Sequence, residues 1–137
     1  TKKAGIPEAD IQDFIASQII NDAHITQVFT RHALMSTNFD KGTGRLVQNG
    51  FHMRLSGDVV YVLSPGFIDY PKTGSTHGSP QSYDTHVPLL LYGYGVKPGT
   101  TSARTEVVDI APTIATILKI AFPNGCTGNP IQQALSN

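Results

Sequence analysis

Residues 73–93 of the 137-residue chain read TGSTHGSPQSYDTHVPLLLYG. The first half is rich in glycine and serine, and His77 lies there between Thr76 and Gly78. Gly74 before the histidine and Gly78 after it let the backbone bend tightly, so that one ring nitrogen can face a metal. The second half, residues 87–92, is apolar without alternation, which predicts a strand buried on both faces of a sheet.

The flanking sequence predicts helices alternating with strands. Residues 25–30 and 57–63 are rich in β-branched and aromatic residues and predict strands. Asp109 is a suitable N-cap for a helix over the following residues. Apolar residues recur at helical spacing in two segments, at Ile11, Phe14, Ile15 and Ile19 and at Ile110, Ile114, Ile117 and Leu118.

Shorter elements are predicted between these segments. They are a helix capped by Thr30, a helix over residues 46–51, an extended piece over 105–108 and a terminal helix over 131–135. Alternation of helices and apolar strands indicates an α/β fold. Because a short sheet needs further strands or helices to cover it, we expect residues 1–137 to be one domain that closes a larger sheet. The absence of an initiator methionine agrees with an excised piece of a longer protein.

The composition restricts the classes of partner. Ten Lys and Arg residues balance ten Asp and Glu residues, so no broad field attracts nucleic acid or an anionic membrane. No apolar run is long enough to span a bilayer. The single cysteine, Cys126, excludes an internal disulfide and a cysteine-based zinc site. We therefore expect neither a nucleic-acid partner nor a membrane partner.

Five histidines are available as metal ligands: His24, His32, His52, His77 and His86. No two stand four residues apart, as they do on a zinc-binding helix. From spacing alone, a lone histidine is more often a loop or core residue than a ligand. His77 is the exception because of its glycine-flanked turn.

Three ordered segments resemble the alkaline phosphatase superfamily, most closely its phosphate-irrepressible phosphatase and type I phosphodiesterase branch. They are Thr76-His77-Gly78, residues 83–90 (YDTHVPLL) and residues 107–113 (VVDIAPT). The opening residues 3–8 (KAGIPE) and residues 122–125 (FPNG) are similar to the same branch, so the resemblance covers nearly the whole chain. It implies the C-terminal portion of an alkaline-phosphatase-like sandwich, a mixed sheet flanked by helices.

The resemblance also implies the chemistry of a longer parent protein. That parent would be a zinc-dependent phosphate-ester hydrolase, with a threonine or serine that attacks phosphorus and a phospho-enzyme that water then hydrolyses. His77 would be the last ligand of one of two zinc ions. Asp84 could orient a ligand as a neighbouring carboxylate, although capping of its own loop is the more common role. His86 is the rival ligand, but its place beside the predicted strand favours a packing or hydrogen-bonding role. Asp109 is interpreted as a helix cap.

Most of the zinc ligands that the resemblance implies are missing from the chain. No Asp-His-Gly triplet, a segment that carries further zinc ligands in the family, occurs in the sequence. Two zinc ions with three protein ligands each need about six ligating residues, and only His77 is offered. We therefore expect the chain alone to be inactive, to bind zinc poorly, and to expose an apolar face. The missing N-terminal part of the protein, or a second copy of the chain, would cover that face.

Other functions are open at the level of sequence. Within the superfamily, the parent could be a phosphodiesterase or nucleotide pyrophosphatase, or a sulfatase-like hydrolase. Outside it, the chain could be a non-catalytic α/β domain whose histidine turn is only structural. By analogy with this branch, the parent is expected in the periplasm or outside the cell.

Overall fold

A computed structural model describes residues 5–69, 72 and 74–136. The chain divides into two compact units, Thr1–Val87 and Pro88–Asn137. Within the described residues, no helix combines the length and the apolar character that crossing a membrane requires.

The first unit is built on a two-stranded antiparallel sheet. Its elements are α1 (Glu8–Ile19), β1 (Ile25–Thr30), α2 (Arg31–Ser36), α3 (Gly42–Gly50), β2 (Val59–Leu63) and α4 (Ser82–Thr85). β1 and β2 pair from Ile25 opposite Leu63 to Thr30 opposite Val59, with an irregularity between Ile25 and Gln27. The predicted strands are therefore confirmed, since β-branched residues suit a half-buried pleated surface.

Thr30 ends β1 and begins α2, as predicted. Its hydroxyl accepts a hydrogen bond of 3.2 Å from the backbone N–H of Ala33, which satisfies one of the unpaired donors at the start of the helix. The helix predicted over residues 46–51 begins earlier, at Gly42, and ends at Gly50.

The apolar stripe of α1 is only partly covered in the first unit. Phe14 is 65% exposed, whereas Gln12, which lies off the stripe, is buried. The Gln12 side-chain oxygen accepts a hydrogen bond of 3.0 Å from the backbone N–H of His32, so its burial is compensated. Helical spacing alone thus identified the helix but not its covered face.

The second unit is organised around helix α5 (Ile110–Leu118). A 3-10 turn, Val107–Asp109, precedes it, and a second 3-10 turn, Gln132–Ala134, lies near the end of the chain. The prediction of an extended piece over residues 105–108 is therefore wrong from Val107 onward. The reason is a reciprocal pair of hydrogen bonds in which the side chains of Glu106 and Asp109 each accept from the backbone of the other.

The strand predicted over residues 87–92 is not formed. These residues have no strand partner among the described residues, where β1 and β2 pair only with each other. Leu90 is 90% exposed and Tyr92 is fully exposed. An apolar run becomes an interior strand only when neighbouring strands take up its backbone hydrogen bonds, and the described chain offers none.

Candidate functional site

His77 lies in the loop between β2 and α4, outside any helix or strand. Its side chain is 89% exposed. Gly74 and Gly78 have φ values of 151° and 104°, a conformation that favours glycine over residues with a side chain. The glycine-flanked turn therefore holds the imidazole at the surface, where it can take a ligand.

Two side-chain hydrogen bonds fasten α4 to the end of β2. The Gln81 side-chain amide donates to the carbonyl oxygen of Leu63 at 3.2 Å. The Tyr83 hydroxyl accepts from the backbone N–H of Gly66 at 3.1 Å. The loop that carries His77 therefore leaves β2 and returns beside the end of that strand. We call these two hydrogen bonds the loop staple.

Asp84, in α4, contacts both sides of the histidine turn. Its Oδ2 accepts from the backbone N–H of Ser79 at 3.2 Å and from the Ser79 hydroxyl. Its Oδ1 lies 3.7 Å from Nδ1 of His77. Asp84 thus caps its own loop through Ser79, and its second oxygen lies beside the imidazole.

The surroundings of Asp84 favour its ionised form. The hydrogen bond from the Ser79 hydroxyl is the largest influence that holds the pKa of Asp84 below its ordinary value. Partial burial opposes this, while the Ser79 backbone N–H and the charge of His77 lower the pKa further. A carboxylate is therefore available beside the imidazole at neutral pH.

Among the described residues, the other histidines do not join a metal-binding group. His24 stacks on Phe67 with ring centroids 4.2 Å apart, and Nδ1 of His52 accepts from the backbone N–H of Arg54. His86 is exposed. The packing expected for His86 is not observed in the described chain, because the strand that would bury it is not formed.

Asp109 has a structural role, although not the predicted one. Its side chain makes no capping bond to α5. It accepts instead from the backbone N–H groups of Glu106 and Asn129, both at 2.9 Å, and these bonds lower its pKa. Its carboxylate is thus engaged by the protein. The partner Asn129 was not predicted, because it lies twenty residues away in the chain.

Among the described residues, no three His, Cys, Asp or Glu side chains come together as a metal-binding group. The donor chemistry at His77 nevertheless suits one zinc ligand, because an exposed imidazole has an ionised carboxylate next to one ring nitrogen. Ser79, which holds that carboxylate, was not identified from sequence. Its position five residues before Asp84 is the only signal that could have indicated it.

Comparison with known proteins places these features in a family. No protein-family model matches the chain. Alkaline phosphatase PafA of Elizabethkingia meningoseptica is 32% identical over 127 residues, which are 92% of this chain and 23% of that protein. Alkaline phosphatase PhoV of Synechococcus elongatus is 40% identical over 87 residues, 64% of this chain and 16% of that protein.

A relative with a different name is also similar. A protein named calcium-transporting ATPase, from Myroides odoratus, is 51% identical over 89 residues, 64% of this chain and 16% of that protein. The chain therefore spans between about a sixth and a quarter of the length of the relatives that it matches.

A solved structure confirms the fold class. The crystal structure of wild-type alkaline phosphatase PafA matches 98% of this chain and 26% of its own, with a TM-score of 0.87 and 28% sequence identity. The helices and the small antiparallel sheet support the α/β, alkaline-phosphatase-like prediction. The chain belongs to the alkaline phosphatase superfamily, matching the C-terminal part of its members.

Proposed function

We propose that this chain is the C-terminal part of a zinc-dependent phosphate-ester hydrolase and that His77 is one of its zinc ligands. The observation that carries the proposal is the match to PafA over 98% of the chain, combined with an exposed histidine in a glycine-flanked turn. The substrate would be a small phosphate ester.

His77 would hold zinc through the ring nitrogen that does not face Asp84. A zinc ion in such a site polarises a phosphoryl oxygen and lowers the pKa of a bound water. The residues of this chain would hold His77 in position. The loop staple sets the position of α4, and Asp84 keeps a negative charge beside the imidazole.

The 137-residue chain is expected to be inactive by itself. A catalytic zinc has three protein ligands in typical sites, whereas the described residues provide no group of three. The other ligands and the threonine or serine nucleophile would come from the rest of the polypeptide. A second zinc ion would be held there too, so the parent would contain two.

The exposed apolar side chains agree with a missing partner. Leu90 and Tyr92 are almost wholly exposed, and large exposed apolar groups mark surfaces that another partner covers. We propose that the N-terminal part of the same protein covers them, with self-association as the outcome when the chain is isolated. Export to the periplasm or the medium is proposed on the likeness to the named phosphatases.

The test compares two histidine variants in the full-length protein. His77→Ala should remove zinc and nearly abolish hydrolysis of p-nitrophenyl phosphate, because a zinc with one of three ligands missing is poorly held. His86→Ala is the matched control, since it removes the other histidine of the same segment and should leave both zinc and rate unchanged. A silent His77→Ala with a damaging His86→Ala would refute the assignment.

The choice of substrate separates the related activities. Bis-p-nitrophenyl phosphate tests a phosphodiesterase or nucleotide pyrophosphatase, and p-nitrophenyl sulfate tests a sulfatase-like hydrolase. ATP belongs in the same panel because one relative carries the name of an ATPase. A full-length protein that contains no zinc and cleaves none of these compounds would favour the non-catalytic domain.

A further inference from the structure

The two oxygens of Asp84 serve different neighbours. Oδ2 is occupied by Ser79, through its hydroxyl and its backbone N–H. Oδ1 lies 3.7 Å from Nδ1 of His77 and has no other partner among the described hydrogen bonds. A carboxylate held by one oxygen thus presents the other oxygen to the imidazole.

Of the two side chains, Asp84 is the fixed one. It is 15% exposed against 89% for His77. Its backbone N–H donates to the carbonyl oxygen of Gln81 at 2.9 Å, and the Gln81 side chain is bonded in turn to the end of β2. His77 lies in a turn without secondary structure, so the imidazole is the group that adjusts to the carboxylate.

We propose that Asp84 is a positioning residue that draws the proton of His77 to Nδ1 and leaves the lone pair of Nε2 for the metal, while the Ser79 hydroxyl orients Asp84. The inference rests on the proposed function, in which His77 binds zinc. A neutral imidazole carries its proton on one nitrogen only, and a hydrogen bond at that nitrogen selects the tautomer. Metal-binding histidines regularly donate their second ring N–H to a carboxylate or carbonyl oxygen.

The separation of 3.7 Å is closed by a small rotation of the exposed ring. An N–H···O hydrogen bond has a donor–acceptor distance of about 2.9–3.0 Å, so Nδ1 needs to move by less than 1 Å, roughly, toward Oδ1. The His77 side chain lies almost entirely in solvent, which leaves the ring room for that movement. The contact is therefore set to tighten when the other nitrogen is bound.

The tautomer can be measured in the 137-residue chain without metal. Long-range proton–nitrogen correlation spectra of the ¹⁵N-labelled chain, at a pH where the imidazoles are neutral, separate protonated from unprotonated ring nitrogens. We expect His77 to carry its proton on Nδ1. Asp84→Asn, which preserves shape but weakens the acceptor, should shift the population toward a proton on Nε2, and Ser79→Ala should shift it less.

His86 provides an internal control in the same spectra. It is exposed and is not paired with a carboxylate in the described structure, so its tautomer should be the same in all variants. Unchanged His77 signals in Asp84→Asn, or a His77 tautomer identical to that of His86 in the unaltered chain, would overturn the proposal.

A second measurement in the full-length protein separates this inference from the proposed function. Asp84→Asn should lower zinc affinity by about 10- to 100-fold, the usual loss when a partner of a metal-binding histidine is removed. If His77→Ala strips zinc and Asp84→Asn leaves zinc affinity unchanged, the positioning role fails and the zinc ligand stands. If His77→Ala leaves zinc in place, the proposed function itself fails.

Discussion

The backbone N–H of Ile131 donates a hydrogen bond of 2.9 Å to the hydroxyl oxygen of Thr113, eighteen residues earlier in the chain. Thr113 is fully buried and Ile131 is 6% exposed. The same hydroxyl donates to the carbonyl oxygen of Asp109 at 2.6 Å. One buried side chain thus joins the first turn of α5 to the terminal segment.

Replacing Thr113 with valine should destabilise the second unit by about 1–3 kcal/mol, because the N–H of Ile131 would be buried without a partner. Urea unfolding and hydrogen exchange of the Ile131 amide measure the effect. Thr116→Val is the matched control, since the Thr116 hydroxyl donates to the carbonyl oxygen of Pro112 within α5. Equal losses for the two variants would show that the bond to Ile131 contributes nothing.

Gly128→Ala should also destabilise the second unit. A Cβ at residue 128 would overlap the backbone of Val108, with the amide nitrogen of Asp109 at 2.8 Å. Backbone atoms cannot turn aside as a flexible side chain can, so we expect a loss of about 1–3 kcal/mol. Gly57→Ala, where the nearest atom would lie at an ordinary 3.8 Å, should change the free energy of unfolding little.

Acid should weaken the contribution of Asp109 to stability. Bonds from the backbone N–H groups of Glu106 and Asn129 lower its native pKa, so the stabilisation is present above the unfolded pKa, about 3.9 for aspartate. It is lost as the pH falls through the lower native value. Asp109→Asn should therefore be less stable than the unaltered chain at about pH 7, and the difference should shrink toward about pH 3.

The matched control for that experiment is Asp13→Asn, an exposed aspartate in α1. Its stability difference from the unaltered chain should be small at both pH values. A difference for Asp109→Asn that stays constant with pH would contradict the lowered pKa.

Leu90→Asp should leave the stability of the 137-residue chain unchanged but should destabilise the full-length protein. In the 137-residue chain Leu90 is 90% exposed, so the variant should unfold at the same urea concentration as the unaltered chain. In the full-length protein, residues 87–92 are expected to be an interior strand, where an unpaired charge is strongly unfavourable. Normal yield and activity of the full-length variant would show that this segment stays exposed there.

The asparagines of the two Asn-Gly pairs should deamidate at different rates. Asn124 is exposed in a turn closed by the N–H of Cys126 and the carbonyl of Pro123, and Gly125 has φ of 75°. The Gly125 nitrogen can attack the Asn124 side-chain carbonyl, release ammonia and form a succinimide that water opens to Asp or isoaspartate. Asn49 and Gly50 lie in α3, where the helical backbone opposes that attack. Peptide mass mapping after alkaline incubation should find deamidation mainly at Asn124.

The sequence predicted the elements that depend on local chemistry. β1 and β2 were found from β-branched runs, and the capping by Thr30 from its place before a helix. Helical spacing located α1 and α5. In each case the residues that fix the element lie within a few positions of one another, so pattern and structure agree.

The sequence pattern did not predict features that depend on residues far apart in the chain. Burial of Gln12 depends on His32, and the role of Asp109 depends on Asn129. Residues 87–92 have the composition of a strand but no described strand to pair with. At the candidate site, the flanking glycines were enough to single out His77. The roles of Ser79, Gln81 and Tyr83 could not be predicted, because they depend on α4 lying beside the end of β2.

The loop staple has a consequence for how the protein can change over evolution or by design. Gln81 and Tyr83 bond to Leu63 and Gly66, and His77 and Asp84 are both close to the α4 end of the loop. An inserted peptide after Ile68 would lengthen the loop on the far side of His77, at a free-energy cost that grows only slowly with length. The size of the loop and the position of His77 are thereby uncoupled, which makes this segment a point for attaching tags.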